Sequence, residues 1–535
     1  MRKHIDSDTP LPYLNNTCTY KYMCHQLTIP RGTHMKLSLL LTSLADSATH
    51  YPNDIAFLTD AAAWSYEQLW ARVSQYESVL AKIALPDGVV VAITAYKTVD
   101  TIALMLALGK QGHTPLVVSP GLGTSVKPTM YATAGVYCEL AADSALGRPE
   151  VSFEVPTVLQ VNSIPSAYTT TTSPLMLTTS GSTGTPKVVE LTTEGINAFV
   201  GWGAEYFQLT RGSRVLSYAP LNFDLSLLEI WAPLLQGATV ILVDTARATQ
   251  ADYLHGLVRE QRPDLLQAVP MFYNLLCPED DSYMLSMDSV RHVVFTGDTM
   301  PKGLCKRVAT AFPQATFHNI YGCTETNDSF VYSGDALAIV QHERLPLGGP
   351  ISGVHYRIVT EEGIELAGAG EGELHTSTPF LAHGYTDPSL TASVFYREPD
   401  GYRIYYRTGD RVARDEQGQL TLLGRKDCIV KVRGVRTNLQ DIEQVLAKMP
   451  IVKNAVVIPV NDELAGVVLH AVIELTQSQK LDGMAMRLFC AQYLPQTSVP
   501  RRFHLHESPL PTTSTGKPDR KTIALSIQPK ESEPA

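Results

Sequence analysis

"LTTSGSTGTPKVVELT", residues 177–192, gathers Gly, Ser and Thr around a single lysine, Lys187. The apolar "SPLM" precedes it and "VVEL" closes it, so the pattern predicts a loop between two strands. Small residues let backbone N–H groups approach an anion, the hydroxyls add donors, and Lys187 adds a mobile positive charge. A Walker A loop needs Gly-Lys-Ser/Thr; here Pro186 precedes the lysine and Val188 follows it. There is no GxSxG either, which leaves Ser180 and Ser182 poor candidates for a nucleophile. Taken alone, such a cluster is usually a Ser/Thr-rich surface loop.

Outward from this stretch the chain alternates helix-like and strand-like pieces. "YEQLWARVSQYESVLAKI" (66–83) has helical periodicity, "GVVVAITA" (88–95) is a β-branched run, and "TIALMLALGKQG" (101–112) is an apolar helix leading to "TPLVVS". The rhythm resumes with "RVLSYAP" (214–220), a helix over 226–238, the strand "TVILVD" (239–244), a helix near 251–260 and the strand "HVVFTGD" (292–298). This predicts an α/β fold with parallel, helix-flanked sheets. After about residue 345, short alternating strands rich in Gly and Pro predict an antiparallel β subdomain. The last part reads as a small α+β domain. Expected boundaries are an N-terminal extension at 1–34, a core at 35–424, a C-terminal domain at 425–525 and a polar tail at 526–535.

Composition narrows the class. A chain of 535 residues is too long for one core, and 44% hydrophobic with 18% charged residues describes a globular protein. A formal net charge of -10 argues against broad binding to nucleic acid or to a membrane surface, which need a clustered basic excess. The eight cysteines, at 18, 24, 138, 277, 305, 323, 428 and 490, form no CxxC pair and fit a reducing cytosol. "HMKLSLLLTSLADSA" (34–48) imitates a signal peptide, yet Leu37, Leu40, Leu41 and Leu44 fall at helical spacing; an amphipathic first helix is the favoured reading.

Six short motifs then follow in order: "SGSTGTPK" (180–187), "NFDLSLLEIW" (222–231), "NIYGCTET" (319–326), "YRTGD" (406–410), "GRKDCIVKVRGVR" (424–436) and "PTTSTGKPDRK" (511–521). "WSYEQL" (64–69) and "GKQGHTPLVV" (109–118) add weaker early marks. Over roughly residues 35–525 the set resembles the adenylate-forming superfamily of acyl-CoA synthetases, luciferases and nonribosomal peptide synthetase adenylation domains. It is most similar to the last of these, because "YGCTET" approximates YGPTE and "GKPDRK" approximates GKxDRK.

The resemblance implies a role for each residue. Thr179, Ser180, Gly181, Ser182, Thr183, Gly184 and Lys187 would hold the β- and γ-phosphates of ATP as pyrophosphate departs. Tyr321, flanked by Asn319 and Gly322, would lie against adenine, Thr324 would contact the α-phosphate, and Glu325 would coordinate Mg²⁺. Asp410 would accept both ribose hydroxyls, with Arg425 near the ribose and phosphate. Lys517 would bridge the substrate carboxylate and the ribose. Asp427 would be the hinge of a swinging C-terminal domain, and Gly434 would admit a pantetheine arm. Taken singly, Asp410 reads as a turn cap, Tyr321 as core, Glu325 as a solvated charge, Lys517 as a surface lysine and Gly434 as a turn glycine; the order of the motifs favours function.

Asp224 occupies the position at which amino-acid-activating members bind the α-ammonium group and which aryl-acid-activating relatives lack. The alternative is an acid placed at a helix N-terminus. The pocket would be completed by Leu225, Leu228, Met271, Val294, Thr296, Ile320, Asp328 and Ser329, with Met271, Val294 and Thr296 open to a slip of one. Its mostly apolar lining favours a small or aliphatic side chain, alanine- or proline-like. Asp328 disturbs that reading, because a carboxylate there needs a cation, a hydroxyl or water. Three departures from the family pattern stand out: Val188 for glycine, Cys323 for proline, and Asn438-Leu439-Gln440 in place of an acidic-helical segment. No carrier-domain motif follows Lys517, so the expected acceptor is a discrete peptidyl carrier protein, with free coenzyme A as the enzymatic alternative. A degenerate scaffold that only binds nucleotide is the non-catalytic alternative; Lys187, Glu325, Asp410 and Lys517 argue against it.

Overall fold

The computed structural model describes residues 37–143, 150–154, 171–179, 186–278, 286–399, 401–425, 429–462, 466–475, 482–506, 508, 510–511 and 520–527. They belong to one compact unit, Met35–Ala535. The expected extension at 1–34 and most of the tail lie outside the described residues.

Two large sheets carry the architecture. One has nine strands, in the order Gly349–Pro350, Asn327–Gly334, Thr316–Cys323, His292–Phe295, Leu265–Ala268, Arg214–Ser217, Thr239–Leu242, Ile55–Leu58 and Ala63–Ser65. From Thr316–Cys323 through to Ile55–Leu58 every neighbouring pair is parallel, and antiparallel strands close both edges. The other has seven strands around a parallel centre of Met176–Thr179, Thr114–Val118, Val90–Thr94 and Val136–Asp143. Strands buried on both faces need continuous apolar runs, and "VVAIT" and "TPLVV" supply them.

The two sheets share one core. Helix Val99–Lys110 is buried around nearly its whole circumference, as the apolar run Ile102–Leu108 requires, and its buried Asp100 is paired with Arg72 and Tyr76. Leu104, Leu106 and Leu108 join Ile93 of one sheet and Val215, Val240 and Val294 of the other in a single cluster. Helix Tyr66–Ile83 buries Leu69, Val73, Tyr76 and Leu80, and starts at a capping box in which Ser65 and Gln68 satisfy each other's backbone N–H. The stretch that imitated a signal peptide is helix Ser38–His50, with Leu40, Leu41 and Leu44 packed into the same core.

One expectation needs correction. Residues 226–238 do not form a single α-helix: Leu227–Trp231 is a π-turn, followed by the short α-helix Ala232–Leu235. The wider turn lets Leu227, Leu228, Glu229, Ile230 and Trp231 all be buried, which a regular amphipathic helix does not allow.

A five-stranded antiparallel sheet includes Ile404–Arg414 and Leu420–Arg425. Beyond it come the hairpin Ile429–Val432 with Val435–Asn438, helix Leu439–Ala447, and the three-stranded sheet of Val452–Asp462, Gly466–Leu475 and Arg502–Leu505, with a core of its own. No helix among the described residues is long and apolar enough to cross a membrane.

Candidate active site

In open parallel sheets, ligands bind beyond the carboxyl ends of the strands. Thr179, Ser217, Thr296 and Tyr321 all stand at or just past such ends, and the site is built there. The loop of the opening stretch runs between two antiparallel strands, Met176–Thr179 and Lys187–Glu190, in which Thr179 is paired directly with Lys187. Ser180, Gly181, Ser182, Thr183 and Gly184 lie outside the described residues. Lys187 holds its ammonium 5.1 Å from the centre of the Tyr385 ring. The Tyr385 hydroxyl donates to Glu325 Oε1 at 2.5 Å and lies 3.3 Å from the Tyr406 hydroxyl. Tyr385 therefore links the lysine of the loop to the expected metal ligand.

Strand Thr316–Cys323 delivers the next group. Asn319 donates its side-chain amide to Pro346 O at 2.8 Å, and buried Tyr321 donates its hydroxyl to Asp410 Oδ2 at 2.6 Å. Asp410 is itself buried, on strand Ile404–Arg414, and its N–H donates to Thr408 Oγ1. The backbone of Arg425 is paired with that of Asp410 across the sheet. Gly322 sits opposite Asp328 where the strand register shifts, and a Cβ there would stand 2.3 Å from Asn327 O. Only glycine allows this approach. Tyr321, Asn319 and Ile320 line a cavity together with Gly297, Asp298 and Lys431.

The residues assigned to the amino-acid pocket come from five elements. Asp224 accepts from Leu225 N–H at 3.1 Å, just before the π-turn. Its carboxyl is pushed above the usual range by burial and by the Glu325 carboxylate, against the pull of the Thr324 hydroxyl and Lys431. Leu228 is fully buried, its Cδ1 2.5 Å from where a Cβ on Gly203 would stand. Val294 and Ile320 share a core cluster with Leu228, whereas Val293 and Phe295 face a different cluster. Met271 is half-buried on helix Pro270–Leu276 and Thr296 is buried beyond the end of its strand. Ser329 is buried and donates to Thr326 Oγ1 within its own turn. Asp328 is pushed up to about 8, by burial first and the neighbouring Asp224 second, with Lys431 opposing.

The hairpin of the C-terminal part reaches this crevice. Gly434 has φ +78°, and a Cβ on it would stand 2.3 Å from Val269 Cγ1, with its own Cα 3.8 Å from where a Cβ on Gly297 would lie. The Asp427 and Lys517 assignments lie outside the described residues.

Four residues of this region were not singled out from the sequence: Asp298, Lys431, Tyr385 and Glu229. The "TGD" turn after a strand carried the signal for Asp298, and the acid inside the apolar "LLEIW" carried it for Glu229. Lys431 and Tyr385 are ordinary strand residues in sequence, and only tertiary placement marks them.

Among the described residues no group of three or more His, Cys, Asp or Glu could hold a metal by itself. Glu325, buried with one oxygen held by Tyr385, is one hard oxygen donor of the kind Mg²⁺ takes alongside phosphate oxygens. The donor set fits that ion and no all-protein metal cage.

Comparison with known proteins agrees with this geometry. The family model described as AMP-binding enzyme matches residues 44–386, and the AMP-binding enzyme C-terminal domain matches 441–517. The chain is 28% identical over 517 residues to the L-proline--[L-prolyl-carrier protein] ligase of Pseudomonas fluorescens, covering 92% of this chain and 100% of that one. It is 25% identical over 508 residues to the D-alanine--D-alanyl carrier protein ligase of Lacticaseibacillus rhamnosus, covering 91% and 99%. In fold it matches the amide bond synthetase McbA from Marinactinospora thermotolerans, with a TM-score of 0.78 at 22% identity, covering 91% and 99%. With the family model spanning well over half its length, the chain belongs to the AMP-binding enzymes.

Proposed function

We propose that this enzyme activates an amino acid with ATP, forming aminoacyl-AMP and pyrophosphate, and then transfers the aminoacyl group to the phosphopantetheine thiol of a separate carrier protein. The observation that carries this reading is Asp224. Its carboxyl lies beside Thr324 and Glu325, where an α-ammonium group would neutralise it. The names of the two carrier-protein ligases support the same substrate class and the same acceptor.

In this scheme Asp224 holds the ammonium, so that a carboxylate oxygen of the amino acid faces the α-phosphorus. The bond from α-phosphorus to its bridging oxygen breaks as the new P–O bond forms, and pyrophosphate leaves with the electron pair. Lys187 and Thr179, with the loop between them, hold the departing phosphates, and Thr324 holds the α-phosphate. Asp410 accepts from the ribose hydroxyls and Tyr321 covers the adenine. Lys517 bridges carboxylate and ribose. Mg²⁺, when bound at Glu325, neutralises phosphate charge. The thiol sulfur then attacks the acyl carbon, and AMP leaves as the thioester forms. Leu225, Leu228, Met271, Val294 and Ile320 leave an apolar space suited to a small or aliphatic side chain. The scattered cysteines favour a cytosolic setting.

Asp224→Ala tests the assignment. The expected result is loss of amino-acid-dependent ATP–pyrophosphate exchange by about 10²-fold or more, the scale of leaving one charge of a buried pair alone. Exchange at the wild-type rate in that variant contradicts it.

A further inference from the structure

Behind the pocket wall lies a buried polar group that the chemistry above does not use. Glu229 is completely buried on the π-turn, and its Oε2 accepts from Ala219 N–H at 2.9 Å. The side chains of Ser217 and Gln267 lie beside its carboxylate and favour its charged form, and Lys97 supplies the neighbouring positive charge. Lys97 donates to Ser217 O at 2.5 Å. Gln267 is buried on strand Leu265–Ala268, and its amide donates to Leu225 O at 3.1 Å. A run of buried polar groups therefore extends from Lys97, beyond strand Val90–Thr94 of the seven-stranded sheet, past Ser217 and Glu229 to Gln267 of the nine-stranded sheet. It ends on the backbone of the residue next to Asp224.

Burying an ion pair is costly, and a well-packed apolar replacement is often as stable. Folding alone therefore does not require Lys97 and Glu229 here. Their geometry has a second consequence. Ala219 and Leu225 bracket the segment that carries Asp224, and both are held by this one unit through their backbones. Leu228, on the turn that carries Glu229, is packed closely against helix Thr193–Tyr206 on its other side. The π-turn puts Glu229 inward at the point where it can bind Ala219 N–H.

We propose that Glu229 is a positioning residue for the amino-acid pocket: with Lys97 and Gln267 it fixes the Asp224–Leu228 wall at the distance from the nucleotide site that adenylation requires. The unit touches neither ATP nor the reacting atoms; it acts through the backbone of Ala219 and Leu225. It rests on the reading of Asp224 and Leu228 as amino-acid ligands. Burial pulls the Lys97 ammonium downward and pushes the Glu229 carboxyl upward, and the charge of each partner opposes the other's shift.

The test is ATP–pyrophosphate exchange by the full chain, with L-proline, L-alanine and D-alanine as probes, measuring KM for ATP and for the best probe, together with Tm. Gln267→Met removes the amide donor to Leu225 O and leaves the Lys97–Glu229 pair intact, so it guards against a variant that fails to fold. Gln267→Met and Glu229→Gln should each raise the amino-acid KM by about five- to tenfold, the scale of one lost buried hydrogen bond. The ATP KM should stay within about twofold of wild type. Joining the two substitutions should cost less than the product of the single effects, because both act on one unit. Lys97→Arg, which keeps the charge, should stay nearer to wild type than Lys97→Met. A wild-type amino-acid KM in Gln267→Met, with Asp224→Asn impaired, overturns the positioning role alone. So do ATP and amino-acid KM values that rise together in step with lost Tm. An Asp224→Asn variant with wild-type KM overturns the pocket reading and the positioning role with it.

Discussion

At the scale of single residues, the site is a set of carboxylates, each with a distinct counterpart. Asp410 is satisfied within the protein by the Tyr321 hydroxyl and Glu325 by Tyr385, whereas the charge of Asp224 disfavours that of Asp328. Asp328, pushed up to about 8, binds its proton more tightly folded than unfolded. Its contribution to stability is therefore lost as pH rises from the ordinary carboxylate range, about 4, through about 8. Asp328→Asn should flatten that fall; urea unfolding of both proteins between pH 5 and pH 8.5 checks it, and equal slopes contradict it. Lys517 belongs at this scale too. Lys517→Ala should lower the adenylation rate by about 10²–10³-fold, comparable with removing one preorganised donor from a transition state. Pyrophosphate exchange reads this directly, and a wild-type rate contradicts it.

At the scale of elements, two features position the chemistry, and they differ in how far they could be read from the chain. The strands on either side of the phosphate loop were legible, because apolar runs flank a cluster of small residues, and they meet with Thr179 opposite Lys187. The π-turn was not. The apolar spacing of 226–238 suits an α-helix equally well, and only the demand to bury Glu229 beside Ala219 selects the wider turn. The hairpin around Gly434 was legible as a glycine-punctuated basic segment, but its contact with Val269 depends on tertiary packing. Gly434→Ala adds a methyl group 2.3 Å from Val269 Cγ1 at a backbone angle of φ +78° that favours glycine, so the hairpin has to lift from the crevice. The expected outcome is loading of the carrier thiol slowed by about tenfold or more, with pyrophosphate exchange within about twofold of wild type. Parallel loss of both activities contradicts this separation of steps.

At the scale of the whole molecule, the α/β class, the antiparallel subdomain and the family were readable because they depend on local periodicity and on motif order. Helix Val99–Lys110, buried between two sheets, illustrates this: a helix apolar on every face from Ile102 to Leu108 has nowhere else to go. What the chain alone did not disclose are links between distant segments. Lys97 lies 132 positions before Glu229 in the chain, and Lys187 meets Tyr385 across a similarly long separation. Neither pair has a local pattern: Lys97 and Glu229 come together where the two sheets share one core, and Lys187 meets Tyr385 because their strands pair within the seven-stranded sheet. In the proposed scheme these links hold the acidic head of the pocket against the nucleotide site, and activity depends on that adjacency. The measurement that tests it most directly is ATP–pyrophosphate exchange across the proteinogenic amino acids and D-alanine, with benzoate and a fatty acid as controls. The account predicts exchange with one or a few small or aliphatic amino acids, abolished by Asp224→Ala. Exchange with benzoate or the fatty acid and none with any amino acid would contradict it.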